Sequence, residues 1–273
     1  MRICTVHTHS TLCDGKNTLA EMARAAFAAG AVTFGASGHS HTDIPWDQGN
    51  VLPEDPSAYR AEVLRLREEY RGRMEVLPGI EQDSQSSQPV PDWAAYWIGS
   101  VHNLYDPRTG QYHCVDWDAD HVAACLREMF GGDALAMARG DFADVAAMAR
   151  RRPTILGHMD LIVKLNRDGR FFDEADPAYR AAALEALHAA DPDATLLEIN
   201  TGAMARGYRD TPYPALFLLR EWRAMGGRVI LTADAHSAAG IVHAYDQAAE
   251  LARAAGFREH TLLTSRGPMP DFL

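Results

Sequence analysis

Seven short apolar runs punctuate the chain, and at or just past the end of each stands a histidine or a carboxylate. The first, Arg2 to His7, is followed two residues on by His9. Ala31 to Ala36 leads to His39, Met74 to Ile80 to Glu81, and Tyr96 to Val101 to His102. Thr154 to Gly157 leads to His158, Thr195 to Asn200 carries Glu198 and Asn200, and Arg228 to Thr232 leads to Asp234 and His236. Between these runs lie segments with helical spacing and helical punctuation. Thr18-Leu19-Ala20-Glu21 has capping-box form and opens an Ala-rich helix that ends at Gly30. Further helices are predicted over roughly 57–71, 120–130, 133–150, 177–190, 215–225 and 244–256. Strand and helix alternating seven times predict a parallel sheet wrapped by helices. The length of 273 residues is close to that of one α/β barrel, and no linker or low-complexity tract divides it, so a single domain over 1–273 is expected.

In a parallel barrel the C-terminal strand ends converge on one face. The pattern therefore gathers His7, His9, His39, Glu81, His102, His158, Asp234 and His236 on one rim, with Asp14 in the first loop. An isolated H-x-H is ordinarily a structural pair; it is the recurrence at strand after strand that points to metal. On extended backbone His7 and His9 share a face, and so do Asp234 and His236. Imidazoles and carboxylates without a thiolate set suit Zn, Mn or Fe. Nine candidate ligands exceed what one ion takes at about four to six coordination, and they suit two or three divalent ions. A carboxylate bridges two ions where a neutral imidazole cannot, which points to Glu81 or Asp234 as the bridge.

Composition narrows the partners. A net charge of −11 argues against nucleic acid and anionic membrane surfaces. It leaves room for a small phosphorylated substrate, because bound cations reverse the local sign. Four cysteines (Cys4, Cys13, Cys114, Cys125) without C-x-x-C pairing read as reduced thiols of a cytoplasmic protein. A ligand as early as His7 leaves no room for a cleaved leader, and no apolar run is long enough to span a bilayer. Dinucleotide fingerprints, phosphate-cradling glycine loops and nucleophile elbows are absent, which sets aside nucleotide-cofactor and serine-hydrolase chemistry. No feature of the sequence speaks to an oligomeric state.

The ordered motifs resemble those of the polymerase and histidinol phosphatase (PHP) superfamily. They are Val6-His7-Thr8-His9-Ser10 with Cys13-Asp14-Gly15, Gly38-His39-Ser40, Gly79-Ile80-Glu81, Ile98-Gly99-Ser100-Val101-His102, Gly157-His158-Met159-Asp160, Glu198-Ile199-Asn200-Thr201-Gly202 and Asp234-Ala235-His236. Gly-Ser-Val-His, Glu-Ile-Asn-Thr and Pro212-Tyr213-Pro214 are most similar to the monofunctional histidinol-phosphate phosphatases of that superfamily. The resemblance implies a distorted seven-stranded (β/α)7 barrel with a trinuclear site. His7, His9, Glu81 and Asp234 would hold one ion, Asp14, His39 and His236 a second, and Glu81, His102 and His158 the third. It implies hydrolysis of L-histidinol phosphate by a metal-bridging hydroxide attacking phosphorus in line. Glu81, Asp234 and His236 are then the catalytic candidates, and Asp234 or His236 is within reach of the leaving oxygen. Gly38 departs from the pattern, since many members carry an acid before this His.

Lys164, Arg206 and Arg209 lie in loops after the fifth and sixth strands and are candidate phosphate contacts. Ser40 is within reach of the same rim. Glu198 and Asn200 share a face and allow three readings: orienting imidazole N–H groups, binding the amino group or imidazole of a substrate, or forming a buried pair. Two other functions fit the residues less closely: a PHP phosphoesterase acting on a nucleotide or other small ester, and a metal-binding module without turnover.

Overall fold

A computed structural model describes residues 1–273. In chain order its elements are β1 (Ile3–Thr5), α1 (Leu19–Ala28), β2 (Ala31–Ala36), α2 (Ser57–Glu69), β3 (Glu75–Asp83), β4 (Tyr96–Ser100), β5 (Asn103–Asp106), β6 (Gln111–Cys114), α3 (Ala119–Glu128), α4 (Ala134–Arg150) and β7 (Ile155–Leu156). They continue with α5 (Pro177–His188), β8 (Leu196–Asn200), α6 (Gly202–Ala205), α7 (Leu216–Ala224), β9 (Arg228–Thr232), α8 (Tyr245–Ala255), β10 (Glu259–Thr264) and β11 (Gly267–Phe272). Four of the helices, α1, α3, α4 and α5, start where side chains satisfy the first free N–H groups. Thr18 Oγ1 accepts from Glu21 N while Glu21 Oε2 accepts from Thr18 N, the reciprocal box. Asp133 caps α4, and Asp176 caps α5 ahead of Pro177.

All seven predicted strands form one parallel sheet in the order β1-β2-β3-β4-β7-β8-β9. Just past β1 and β9 the two edges meet. Thr8 bridges Ala235 in parallel register, His9 N donates to the Ala235 carbonyl at 2.9 Å, and Ala235 N donates to the His7 carbonyl at 3.0 Å. The sheet is thus a nearly closed barrel, joined at the rim where the chain presents its histidines.

Both faces of the sheet are buried, which is why its strands read as nearly continuous apolar runs. The large outer core lies between sheet and helices. A smaller core fills the barrel: Cys4, Val6, Leu77, Tyr96, Ile98, Ile155, Leu196 and Ile230. Tyr96 lies across it, its hydroxyl donating to the Val6 carbonyl at 2.6 Å. Gly79 is required beside it, because a Cβ there would sit 2.2 Å from Tyr96 Cζ.

Several segments depart from simple strand–helix alternation. The tail run at 261–263 is one arm of an antiparallel hairpin, β10–β11, and its Leu262 and Leu263 complete the inner core from the N-terminal end of the barrel. Pro268 and Pro270 in β11 conceal a strand from sequence reading, yet an edge strand tolerates them. Within the polar loop after β8, Gly202–Ala205 turns once as α6. The first and fifth strands are shorter than their apolar runs, because the chain leaves the ladder to offer His7 and His158. The segment 103–117, whose Asp106-Pro107-Arg108-Thr109-Gly110 reads as a turn, forms the hairpin β5–β6.

Candidate metal centre

The nine ligand candidates meet at the C-terminal rim in contiguous groups. His9, Asp14, His39 and His236 form one; His7, Glu81 and His158 a second; His7, His9 and Asp234 a third; His39, Glu81 and His102 a fourth. Glu81 stands at the centre, fully buried. Its Oε2 lies 3.1 Å from His7 Nε2, 3.3 Å from His9 Nε2 and 3.0 Å from His39 Nδ1. Its Oε1 faces the other way, 3.1 Å from His158 Nε2 and 3.4 Å from His102 Nε2. Asp234 Oδ1 stands 3.6 Å from His7 Nε2 and 3.3 Å from His9 Nε2. Asp14 Oδ2 stands 2.9 Å from His236 Nε2 and 3.6 Å from His39 Nε2.

Backbone geometry sets these positions. Asp234 has φ of +46°, a left-handed conformation that Asp tolerates better than most residues. It directs Oδ1 at the histidine pair and leaves Oδ2 for Arg206 Nη2 at 3.0 Å. Gly202 makes room for that contact: a Cβ there would stand 2.6 Å from Asp234 Oδ2.

The rings are aimed by partners on their far nitrogens. Glu198 Oε1 lies 2.5 Å from His7 Nδ1 and also accepts from Thr232 Oγ1. Its Oε2 accepts from the His158 backbone N–H and from Asn200 Nδ2. Glu198 is wholly buried, so of the three readings the orienting one fits, and contact with a substrate does not. Asp83 Oδ2 lies 2.8 Å from His102 Nδ1. His236 Nδ1 lies 3.0 Å from the Asp234 carbonyl oxygen and 2.8 Å from Arg206 Nη1. For His7 and His102, whose Nδ1 partners are carboxylates, a ring that donates from Nδ1 keeps a lone pair on Nε2, whereas Arg206 Nη1 can only donate to His236 Nδ1.

Electrostatics keep the carboxylates charged. Burial would push Glu81 up, but His7, His39 and His102 hold it well below the ordinary range. Burial would do the same to Asp234, against which Arg206, His7 and His236 hold it well down. Burial would depress His7, yet Glu198, Glu81 and Asp234 raise it well above its usual value. His9 goes the other way, down to about 3, through burial and the neighbouring His236 and His39.

The residues fit metal ions by a direct observation. His7 Nε2, His9 Nε2, Asp14 Oδ1 and Glu81 Oε2 are buried without hydrogen-bond partners, although buried polar atoms are ordinarily satisfied. These are neutral-imidazole and carboxylate donors facing one another, the set that binds divalent cations.

Above the cluster opens a cavity of about 500 Å³. Of the expected substrate contacts, Ser40, Lys164 and Arg206 line it. Arg209 does not. It forks onto Glu174 at 2.8 and 3.1 Å and donates to the Val163 carbonyl, so the expectation of a phosphate contact is corrected there. The one-turn α6 places Arg206 on the rim and carries Arg209 past it. Lys164 enters paired with Asp116 at 2.8 Å. Sequence reading gave no role to Asp83, Lys16, Asp116, Trp46, Trp117 or Tyr208, all in the lining. For Asp83 a signal existed: it stands two residues beyond Glu81 and shares its face. The others lie on loops, where no periodicity marks them.

No protein-family model matches the chain. It is 28% identical over 277 residues to a Deinococcus radiodurans protein named "Probable histidinol-phosphatase", covering 95% of this chain and 96% of that one. It is 24% identical over 263 residues to the histidinol-phosphatase of Bacillus subtilis, covering 88% and 96%. The fold is similar to that of the histidinol phosphate phosphatase of Lactococcus lactis, solved with zinc, L-histidinol and phosphate. That likeness has a TM-score of 0.65 at 19% identity, over 97% and 98% of the two chains. Fold, ligand series and relatives agree in likening the chain to metal-dependent histidinol-phosphatase barrels.

Proposed function

We propose that the protein is a metal-dependent phosphomonoesterase that hydrolyses L-histidinol phosphate to L-histidinol and phosphate, a step of histidine biosynthesis. The observation that carries this reading is Glu81, whose two oxygens face two separate histidine groups beneath a cavity rimmed with cations. His7, His9, Glu81 and Asp234 would hold one ion, Asp14, His39 and His236 a second, and Glu81, His102 and His158 a third. Zn, Mn and Fe suit these donors, and zinc is present in the Lactococcus lactis structure. When bound, such ions supply Lewis-acid stabilisation of phosphoryl charge and a hydrolytic nucleophile at neutral pH.

The chain's own residues do the remainder. Arg206 and Lys164 present fixed donors to phosphate oxygens, and their partners Asp234 and Asp116 hold them in place. Glu198 and Asp83 keep His7 and His102 in one tautomer and one orientation. The rest of the cavity matches the other end of the substrate. Trp46 and Trp117 offer aromatic faces to an imidazole, and Asp47 offers a carboxylate to an ammonium group.

The test is phosphate release by the zinc- or manganese-loaded protein on histidinol phosphate, AMP, a sugar phosphate, a phosphodiester and p-nitrophenyl phosphate. Strong preference for histidinol phosphate, abolished by chelation, is expected. Preference for AMP or the diester would assign a different phosphoesterase reaction to the same site. Metal binding without release from any ester would leave a binding module.

A further inference from the structure

Two of the histidines around Glu81 have a carboxylate on the far nitrogen: Glu198 behind His7 and Asp83 behind His102. His158 lacks one. Its Nε2 faces Glu81, and its Nδ1 is buried without a partner. Across a small internal cavity stands Asp141 of α4, 1% exposed, whose Oδ1 is likewise buried and unpartnered. Asp141 and His158 are the only ionisable side chains lining that cavity. The rest of its wall is apolar side chains and glycine, including Val145, Met148 and Leu156. Its volume, about 10 Å³ measured at the centre of a water molecule, is room for one.

A carboxyl oxygen buried in an apolar wall with nothing to bond to is unfavourable, so its presence calls for a partner. A water in a polar pocket of this size needs two or more hydrogen-bonding groups, and these two atoms provide them. A ligating imidazole almost always donates its other N–H to a carboxylate, a carbonyl or a water.

We infer that Asp141 is a positioning residue for His158: a single buried water accepts the His158 Nδ1–H and donates to Asp141 Oδ1. The arrangement repeats, at one water's remove, what Glu198 does for His7 and Asp83 for His102. It fixes the ring so that the Nε2 lone pair points at the space beside Glu81. The acid comes from the outer helical layer, not from a strand end, which is why the rim pattern does not announce it.

This inference rests on His158 being a metal ligand, and the experiment separates the two. Zinc affinity of the full chain is measured by competition with a chromophoric chelator for wild type, H158A, D141N and D141L. The melting temperature of each metal-free protein is measured alongside. D141L, which fills the cavity and removes the relay, should weaken zinc retention within the range of about 10- to 100-fold seen for lost outer partners. D141N, which keeps the shape and exchanges one carboxyl oxygen for an NH2, should fall towards the lower end of that range. The metal-free melting temperatures should match or exceed that of wild type, since a buried unpaired carboxyl is gone. Wild-type zinc affinity in a folded D141L, or in D141N if D141L does not fold, overturns the inference while H158A still loses zinc. A lowered melting temperature with unchanged affinity also overturns it, because Asp141 is then purely structural. Equal zinc binding by wild type and H158A would bring down the His158 assignment and the inference together.

Discussion

The two ends of the barrel are built from the same strands and obey opposite rules. At the N-terminal end Cys4, Leu77, Tyr96, Ile155, Leu196 and Ile230 meet Leu262 and Leu263 in an apolar core. At the C-terminal end, a residue or two further along each strand, buried polar atoms face one another without partners. Val6 and His7 show how abrupt the change is: Val6 belongs to the inner core and His7 to the ligand cluster. The apolar end is satisfied by folding alone. The polar end is satisfied by folding together with ions, so its residues hold function and forgo self-sufficiency. The contrast predicts that substitutions at the rim change metal binding and turnover, and that substitutions at the base change stability alone.

The largest break is expected at Glu81. E81Q removes the charge facing both histidine groups while keeping the shape. Metal content should fall, and phosphate release should drop by more than about 10³-fold, beyond what one lost oxyanion donor costs. Elemental analysis and a phosphate assay on the same preparation check it. Full activity in E81Q would end the assignment of Glu81 as the bridge.

At the base the expected effect is also large but of another kind. Leu262 is 1% exposed inside the plug. L262A should cost about 2–5 kcal/mol of stability, as a buried Leu-to-Ala change does, read from urea unfolding. Zinc affinity of the folded fraction should not move. A loss of zinc at temperatures where L262A is folded would show that the base supports the rim and would blur the division.

Glu198 sits between the two regimes, buried like the base and serving the rim. E198Q keeps the shape but leaves one acceptor oxygen where Glu198 has two, so its NH2 must face either His7 and Thr232 or the His158 backbone N–H and Asn200, and the support behind the two histidines weakens. A 10- to 100-fold loss of metal affinity or activity is expected, roughly the cost of an outer carboxylate. Chelator competition measures it. An E198Q protein with unaltered zinc binding would reduce Glu198 to a buried structural pair with Asn200.

What the sequence made legible follows the same division. The rim was readable because it repeats: seven apolar runs ending in ligand types, and alternation that puts His7 with His9 on one face. The plug was not. Leu262 and Leu263 form too short a run to mark a strand, and their partner strand carries Pro268 and Pro270. Arg206 and Arg209 stand three residues apart in one polar loop, and only the turn of α6 separates the residue in the cavity from the one bound to Glu174. Lys164 and Asp116 are 48 residues apart, and no local pattern announces a pair that tertiary structure creates. Glu198 was visible as a candidate, but its role depends on a 2.5 Å approach to His7 from a strand on the far side of the sequence.

The smallest expected effect gives the sharpest test of whether the two ends are independent. Tyr96 spans the inner core, and its hydroxyl donates to the carbonyl of Val6, the residue immediately before His7. Y96F leaves the ring in place, so no cavity opens, and only the hydroxyl's contacts are lost, the short one to the Val6 carbonyl and a longer one to the Ala36 carbonyl at 3.2 Å. The Val6 carbonyl is then buried beside an apolar ring. The strand must absorb that or shift, at a cost of about 1 kcal/mol, typical of one neutral hydrogen bond. If the ends are separate, that cost appears as a small fall in the urea midpoint, with zinc affinity and turnover unchanged. If the Val6 carbonyl positions the start of the histidine segment, zinc affinity falls along with stability, and the boundary lies a residue deeper in the barrel. Because the ring is retained, either result reports on the backbone carbonyls the hydroxyl holds, chiefly that of Val6, rather than on packing.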